Sequence, residues 1–357
     1  MKVCILGSGL TSLSLAKILV NMGINVDFFS NLNFEKVDRF RTLSISKDNL
    51  DFFNSNISKI NKFSWKIKKI EIFSENLKNE KILDFENSND QLFSIIKNFK
   101  LHNLLFKSLL NDKLHKKINF ENKLKNFDKY DLIINTDSSN FISKKYFFKK
   151  ISKSYNSNAY VTTINHEKIS NNIATQIFTK NGPLAFLPIS EYETSIVYSI
   201  NNHLKAEKEV NNLINTYNSK YKIKKIYKIN SFELQGLSLR SYFHKNILAF
   251  GDLLHRIHPL AGQGFNMTIR DIKILNKIIQ KKIDLGLPLD SGLNTEFESS
   301  QKHKNYIFSS GIDLIHEFFN FERKTKNDFL SKSIQYFNKN SSINKIFIKI
   351  ADKGLLF

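Results

Sequence analysis

K2-V-C-I-L6, then G7-S-G-L-T-S12, then L13-S-L-A-K-I-L-V-N-M22 read as a strand, a glycine turn and a helix in immediate succession. The opening run is apolar and short, as a buried strand is. The next segment carries Leu and Ile at helical spacing up to Gly23, a C-cap, and I24-N-V-D-F-F29 is a second strand. A β-α-β unit of this kind builds a parallel sheet. Its turn brings backbone N–H groups and a helix N-terminus against a pyrophosphate, with Gly7 making the tight turn and Gly9 leaving room for the ligand. Ser12 stands where a third glycine would let helix and strand pack closely, and Ser30 stands near the place of an acidic residue that would hold ribose hydroxyls.

Composition bounds the rest. A chain of 357 residues, 41% hydrophobic and 24% charged, has the make-up of a folded protein of two packed domains. One cysteine, Cys4, excludes an internal disulfide, and its apolar neighbours read as those of a small buried side chain. No window approaches the ~18 apolar residues of a membrane span, and no basic flank or cleavage site precedes the first strand. The expected location is therefore cytoplasmic. The net charge of +21 is spread through a Lys-, Asn-, Ile- and Phe-rich chain, without a basic run carrying interleaved aromatics. This argues against a nucleic-acid partner and leaves a pull toward an anionic, inner-membrane surface.

Further along, 63–73 and 81–85 read as strands, about 90–110 as a helix, and Y130-D-L-I-I-N-T136 as a buried strand ending at Asp137. That carboxylate, followed by Ser138, Ser139 and Asn140, reads equally as ligand-facing or as a local turn cap. Residues 155–235 are strand-rich, with 159–164, 174–178, 184–188, 194–200 and 223–230 arranged as antiparallel hairpins. The Lys/Asn-rich stretch 120–129 reads as a solvated loop. Residues 269–279, 297–324 and the tail are helical.

Glycine is scarce, twelve in the whole chain, yet three fall within G251-D-L-L-H-R-I-H-P-L-A-G-Q-G-F-N266 together with one of four prolines. The buried strand N246-I-L-A-F250 delivers Asp252 to the sheet edge. Pro259 then fixes the chain, and A261-G-Q-G-F-N266 enters a helix whose first N–H groups lack internal partners and favour negative charge. His255 and His258 sit three apart, but no Cys, Asp or Glu close in sequence completes a ligand set, so no metal is expected.

These residues resemble the FAD-dependent aromatic hydroxylases of the para-hydroxybenzoate hydroxylase type, and within them the ubiquinone-biosynthesis branch. The resemblance rests on the Gly7–Gly9 unit, Arg41 in D38-R-F-R-T-L-S-I, the strand ending in Asp137, G182-P-L-A-F-L-P188, and Gly251 to Asn266. It implies an α/β fold: a Rossmann-like FAD-binding domain with a β-sheet substrate domain inserted, and C-terminal helices. Residues 1–62, 90–150 and 236–320 would form the discontinuous FAD-binding domain. Residues 63–89 and 151–235 would form the substrate domain, and 321–357 a C-terminal helical segment.

The resemblance also implies roles. Gly7, Gly9, Leu10 and Thr11 would hold the FAD pyrophosphate, Ser30 would lie near the ribose, and Arg41 near the phosphates. Asp137, Gly251 and Asp252 would complete the cofactor site. Pro259, Gly262, Gln263, Gly264, Phe265 and Asn266 would lie against the isoalloxazine, with the first four at the reacting centre. The implied reaction reduces FAD with transiently bound NAD(P)H and passes through a flavin C4a-hydroperoxide formed with O2. One oxygen then goes to the ring of a prenylated phenolic ubiquinone precursor. A quinone-synthesis complex or peripheral contact with the inner membrane would accompany that role. Two other roles stay open: a non-catalytic FAD-binding scaffold of such a complex, and a related flavin reductase acting on an isoprenoid lipid. Ser12, Ser30, Ser138, Leu253, Leu254 and Thr268 depart from the family pattern, and neither His166, His255 nor His258 is singled out as a proton carrier.

Overall fold

The computed structural model describes residues 1–29, 38–77, 80–86, 91–118, 127–201, 207–325, 329–338 and 348–354. Strand β1 (Lys2–Leu6) runs parallel to β2 (Asn25–Phe29) with Val3 opposite Val26, joined by helix α1 (Leu10–Asn21). On its other side β1 pairs in parallel with β9 (Leu132–Asn135). With β8 (His115–Ile118), β16 (Phe243–His244) and β17 (Ile247–Ala249) these make a six-stranded sheet in the order β16-β17-β9-β1-β2-β8. Only the β16–β17 pair in it is antiparallel. Helix α1 buries Leu13, Leu15, Ile18 and Leu19, so most of its circumference is core, covered in part by α3 (Asn98–Leu110). Each such aliphatic side chain contributes roughly 1.5–3 kcal/mol when fully buried.

A second sheet of nine strands carries the strand-rich middle of the chain. Its path is β18 (His255–Arg256), β15 (Asn230–Leu239), β10 (Lys150–His166), β13 (Glu193–Asn201), β12 (Gly182–Pro188), β11 (Ile173–Thr179), β5 (Lys69–Ser74) and β6 (Glu80–Glu86). A ninth strand, β14 (Ile223–Ile226), pairs with β10. Neighbours are antiparallel except β11 and β5, which run parallel. A third, antiparallel sheet joins β3 (Thr42–Ser46), β7 (Phe93–Lys97) and β4 (Ser64–Ile67). The remaining helices are α2 (Lys47–Asn56), α4 (Phe141–Tyr146), α5 (Glu207–Tyr217), α6 (Gln263–Asp284), α7 (Ser291–Thr325) and α8 (Phe329–Asn338).

Three local expectations change. The helix expected over 90–110 begins only at Asn98, because Phe93–Lys97 is a strand between β3 and β4. Its Ile95 and Ile96 are 1% exposed and are β-branched residues that a pleated sheet accommodates on both faces. The strand expected over 63–73 breaks at Lys68, whose N–H bonds Asn172. The first half pairs with β7 and the second with β11. The strand expected over 223–230 ends at Ile226, and Asn230 opens the longer β15. Most of the stretch 120–129 lies outside the described residues.

Candidate active site

The site is built where the first sheet meets the start of α6. At the end of β1, Gly7 has φ +127°, and its N–H bonds Phe29 O at 3.1 Å. A Cβ there would fall 2.2 Å from Thr136 Oγ1, so no other residue fits between the turn and the end of β9. Ser12 does what its small size allows: it is fully buried, and its hydroxyl lies 2.6 Å from that of Thr136, tying α1 to β9. Gly9 caps α1 without any side-chain bond, and the space beside it is open. The first N–H groups of α1 therefore point outward unpaired by any cap. His102 of α3 reaches the same turn, its Nε2 3.3 Å from Ser8 O, and burial pulls its pKa down.

Gly251 brings the second motif against the first. It is buried against Thr11, whose Cγ2 would stand 2.7 Å from an added Cβ, and it holds the chain so that exposed Asp252 faces the cavity. Leu253 and Leu254, larger than the family pattern, point into the core at 4% and 0% exposure. Asp137 both lines the cavity and caps its own turn, accepting from Ser139 N at 2.8 Å and Ser139 Oγ at 2.6 Å.

The turn that leads into α6 rests on β3. Gly262 is left-handed, φ +62°, and caps α6; a Cβ would collide with Ser44 Oγ at 2.0 Å. Ser44 Oγ in turn donates to Gly262 O at 3.0 Å. Asn266 is 1% exposed and spends its amide inside the protein, donating to Ser44 O at 2.9 Å and accepting from Ser46 N at 2.8 Å. Gly264 is different: it is exposed, with open space where a side chain would go. Gln263 is 8% exposed, and its Oε1 has no partner. A buried amide oxygen left so is able to accept from a donor outside the chain.

Most of these residues line one cavity of about 1590 Å3. That exceeds the ~300–1,000 Å3 of an ordinary ligand pocket. Gly7, Gly9, Leu10, Thr11, Arg41, Asp137, Asp252, Pro259, Gly262, Gln263, Gly264, Phe265 and Asn266 all line it. Gly251 lies behind the wall, and Ser30 lies outside the described residues. Part of the wall is apolar, formed by Ile72, Ile82 and Phe178 of the large sheet and by Phe308, Ile312 and Phe319 of α7, which cluster together.

Of the three histidines of interest, His166 is bonded to Glu167 O and Thr194 Oγ1 within the second sheet and is not part of the cavity wall. His255 lines the cavity, with its Nε2 2.5 Å from Asp271 Oδ2, and Asn305 Nδ2 donates to the other oxygen at 3.0 Å. Sequence reasoning missed Asp271 because sixteen residues and a helix turn separate it from its partner. A carboxylate one turn beyond Met267 on the buried face of α6 was the available signal. His258 lies behind Pro259, packed on Tyr155 and His316 with ring centroids 5.0 and 4.2 Å away. Neither of its ring nitrogens has a partner. Burial first, then neighbouring His316 and Lys153, push its pKa down to about 3.

A fold of this kind, with a glycine-turn parallel sheet, a large mixed sheet and long C-terminal helices around one cavity, is that of the FAD-dependent monooxygenases. Para-nitrophenol 4-monooxygenase PnpA of Pseudomonas putida superposes with a TM-score of 0.80 at 10% identity, covering 99% of this chain and 98% of that one. HpxO of Klebsiella pneumoniae, solved with FAD and uric acid, superposes at 0.76 and 12% identity over 100% of this chain and 98% of its own. By sequence, relatives include ubiquinone-biosynthesis hydroxylases. The human ubiquinone biosynthesis monooxygenase COQ6 is 25% identical over 228 residues, 52% of this chain and 49% of that protein. The Rhodospirillum rubrum ubiquinone hydroxylase UbiL is 26% identical over 170 residues, 45% of this chain and 40% of its own. The matches span about half the length of these curated relatives. No protein-family profile matches the chain.

Proposed function

We propose that the chain is an FAD-dependent hydroxylase that uses NAD(P)H and O2 to place one oxygen on the ring of a phenol carrying an isoprenoid tail, as in ubiquinone synthesis. The observation that carries this reading is one cavity whose wall combines the polar turns at Gly7–Thr11, Asp137, Asp252 and Gly262–Gly264 with an apolar cluster that includes Ile82, Phe178, Leu260 and Ile312. The polar part fits FAD: two helix N-termini without side-chain caps, open space beside Gly9 and Gly264, and the orphaned Gln263 Oε1 all ask for one extended, hydrogen-bonding ligand.

In this reading Gly7, Gly9, Leu10 and Thr11 hold the pyrophosphate on the N-terminus of α1. Arg41, Ser30, Asp137 and Asp252 take the remaining phosphate, ribose and ribityl contacts. Pro259, Gly262, Gln263 and Gly264 face the ring system, where the N-terminus of α6 stabilises developing negative charge. Phe265 and Asn266 hold that helix end in place. When bound, FAD supplies the redox chemistry that NAD(P)H feeds and that O2 turns into ring oxygenation. The apolar walls position the tail and exclude water from the reacting ring. The domain limits read from the sequence, 1–62, 90–150 and 236–320 around 63–89 and 151–235, with 321–357 as a C-terminal segment, belong to the same proposal, as does peripheral contact with a membrane or a quinone-synthesis complex.

The experiment is turnover of the FAD-loaded chain with NADPH or NADH, a 2-polyprenylphenol and 18O2. One labelled oxygen in the ring per nicotinamide oxidised is expected. Nicotinamide oxidation indifferent to the phenol, or a product without label, overturns the assignment.

A further inference from the structure

Helix α7 buries Leu293, Phe297, Asn305, Ile312 and His316 against the body. Its opposite face is not that of a soluble helix. Ile307, Leu314 and Phe321 are 51%, 69% and 61% exposed, and their seven-residue spacing puts them on one line along the helix. Fourteen residues at 1.5 Å each make that line about 21 Å long. Tyr306 and Ile315 widen it at 51% and 41% exposure. Single exposed apolar residues are ordinary, but a contiguous line of them marks a surface that meets something apolar.

Two observations say what. The first is charge. Lys304 and Lys324 stand at the flanks of the line, and exposed Glu317 beside it is held by Lys153 at 3.0 Å, in a chain of net charge +21. The second is continuity. Ile315 is exposed on this face and also lines the cavity, next to buried Ile312. Ile315, about 100° round the helix from Leu314, therefore links the apolar line to the apolar wall of the cavity.

We propose that this face of α7 is the surface on which the protein docks to an anionic lipid bilayer, with Ile315 at the mouth through which a tailed ligand passes from hydrocarbon to cavity without crossing water. The face deepens the hydroxylase reading by naming where its substrate enters and rests on that reading only for the identity of the ligand. An apolar helix face laid in the interface beside cationic flanks is held by buried area and by attraction to anionic headgroups together.

The test is flotation of the full chain with vesicles of phosphatidylcholine alone and of phosphatidylcholine with phosphatidylglycerol. Binding is expected to the mixed vesicles and to weaken with salt. Leu314→Asp and Phe321→Asp should each lower it at least about tenfold while leaving the melting temperature in place. A chain that stays unbound, or variants that float as well as the parent, would overturn the proposal. So would a dimer in solution that Leu314→Asp dissociates, since the line would then be a contact between copies. A chain that floats as expected but never labels a phenol leaves this surface standing and sinks the hydroxylase reading instead.

Discussion

Asp271, fully buried in α6, holds Nε2 of His255 at 2.5 Å and so fixes which edge of that ring faces the cavity. Removing one partner of a buried pair leaves the other unsatisfied in low dielectric. Asp271→Ala should cost about 3–5 kcal/mol in urea unfolding. Asp271→Asn, which keeps an acceptor, should cost less. Equal losses for the two would show that the carboxylate charge, and not the hydrogen bond, holds the histidine.

Gly262 and Gly264 are two residues apart and separable. Gly262→Ala meets Ser44 Oγ and a left-handed backbone, so it should lower stability by at least about 1–3 kcal/mol. Adding Ser44→Gly should recover the steric part and not the conformational part. A Cβ at Gly264 has open space around it, so the thermal unfolding of Gly264→Val without added FAD should stay close to the parent's while flavin binding falls away. A normally yellow Gly264→Val protein would remove this turn from the cofactor site.

His258 predicts a pH dependence with a definite sign. Its folded pKa, near 3, lies below the ordinary value of 6.5, so between those limits the unfolded chain binds the proton that the folded chain refuses. Stability is then full above about pH 6.5 and declines as pH falls toward 3, at a limit of about 1.4 kcal/mol per pH unit for this one group. Burial lowers His102, His115 and His316 in the same direction. His258→Phe should flatten the fall in melting temperature between pH 7 and pH 5. An unchanged slope would show that the other histidines carry it.

Helix α2 receives its cap from far along the chain. Asp352 Oδ1 accepts the N–H of Asp48 at 2.9 Å, Asp352 O accepts Ser46 Oγ at 2.8 Å, and Ile350 and Ala351 line the cavity beside it. Asp352→Ala should cost about 0.5–2 kcal/mol, the usual worth of an N-cap. It should also speed hydrogen exchange at Lys47–Leu50 and in residues 348–354. Exchange unchanged in both places would mean that packing of Gly354 on Arg270 is sufficient to hold the segment.

The parallel sheet and the glycine turns were legible in the sequence because local chemistry dictates them. A strand of Val, Cys, Ile and Leu followed by Gly-Ser-Gly has few other solutions, and scarce glycines stand out. The reasons for individual glycines were less legible. Gly262 owes its place to Ser44, and Gly251 to Thr11, each an encounter between segments more than 200 residues apart. The strand at Phe93–Lys97 was hidden because its preference is created by β3 and β4 on either side. Asp271, His102 and Asp352 carry no motif at all. Their positions near the cavity follow from helix packing, which periodicity reports only as a buried face.

The order of strands in the six-stranded sheet bears on synthesis as well as on chemistry. β1 leaves the ribosome before its partners in the sheet: its neighbour β9 begins at Leu132, and the strand beyond that, β17, begins at Ile247. Pairings so distant in the chain close slowly, because loop entropy is lost before contacts repay it. Until residue 251 has emerged, nothing sits against Thr11. A nascent chain can therefore pair its strands β10 to β13 while β9, already beside β1, still waits for β17 with its other edge exposed. That waiting edge of β9 is where a chaperone would be needed.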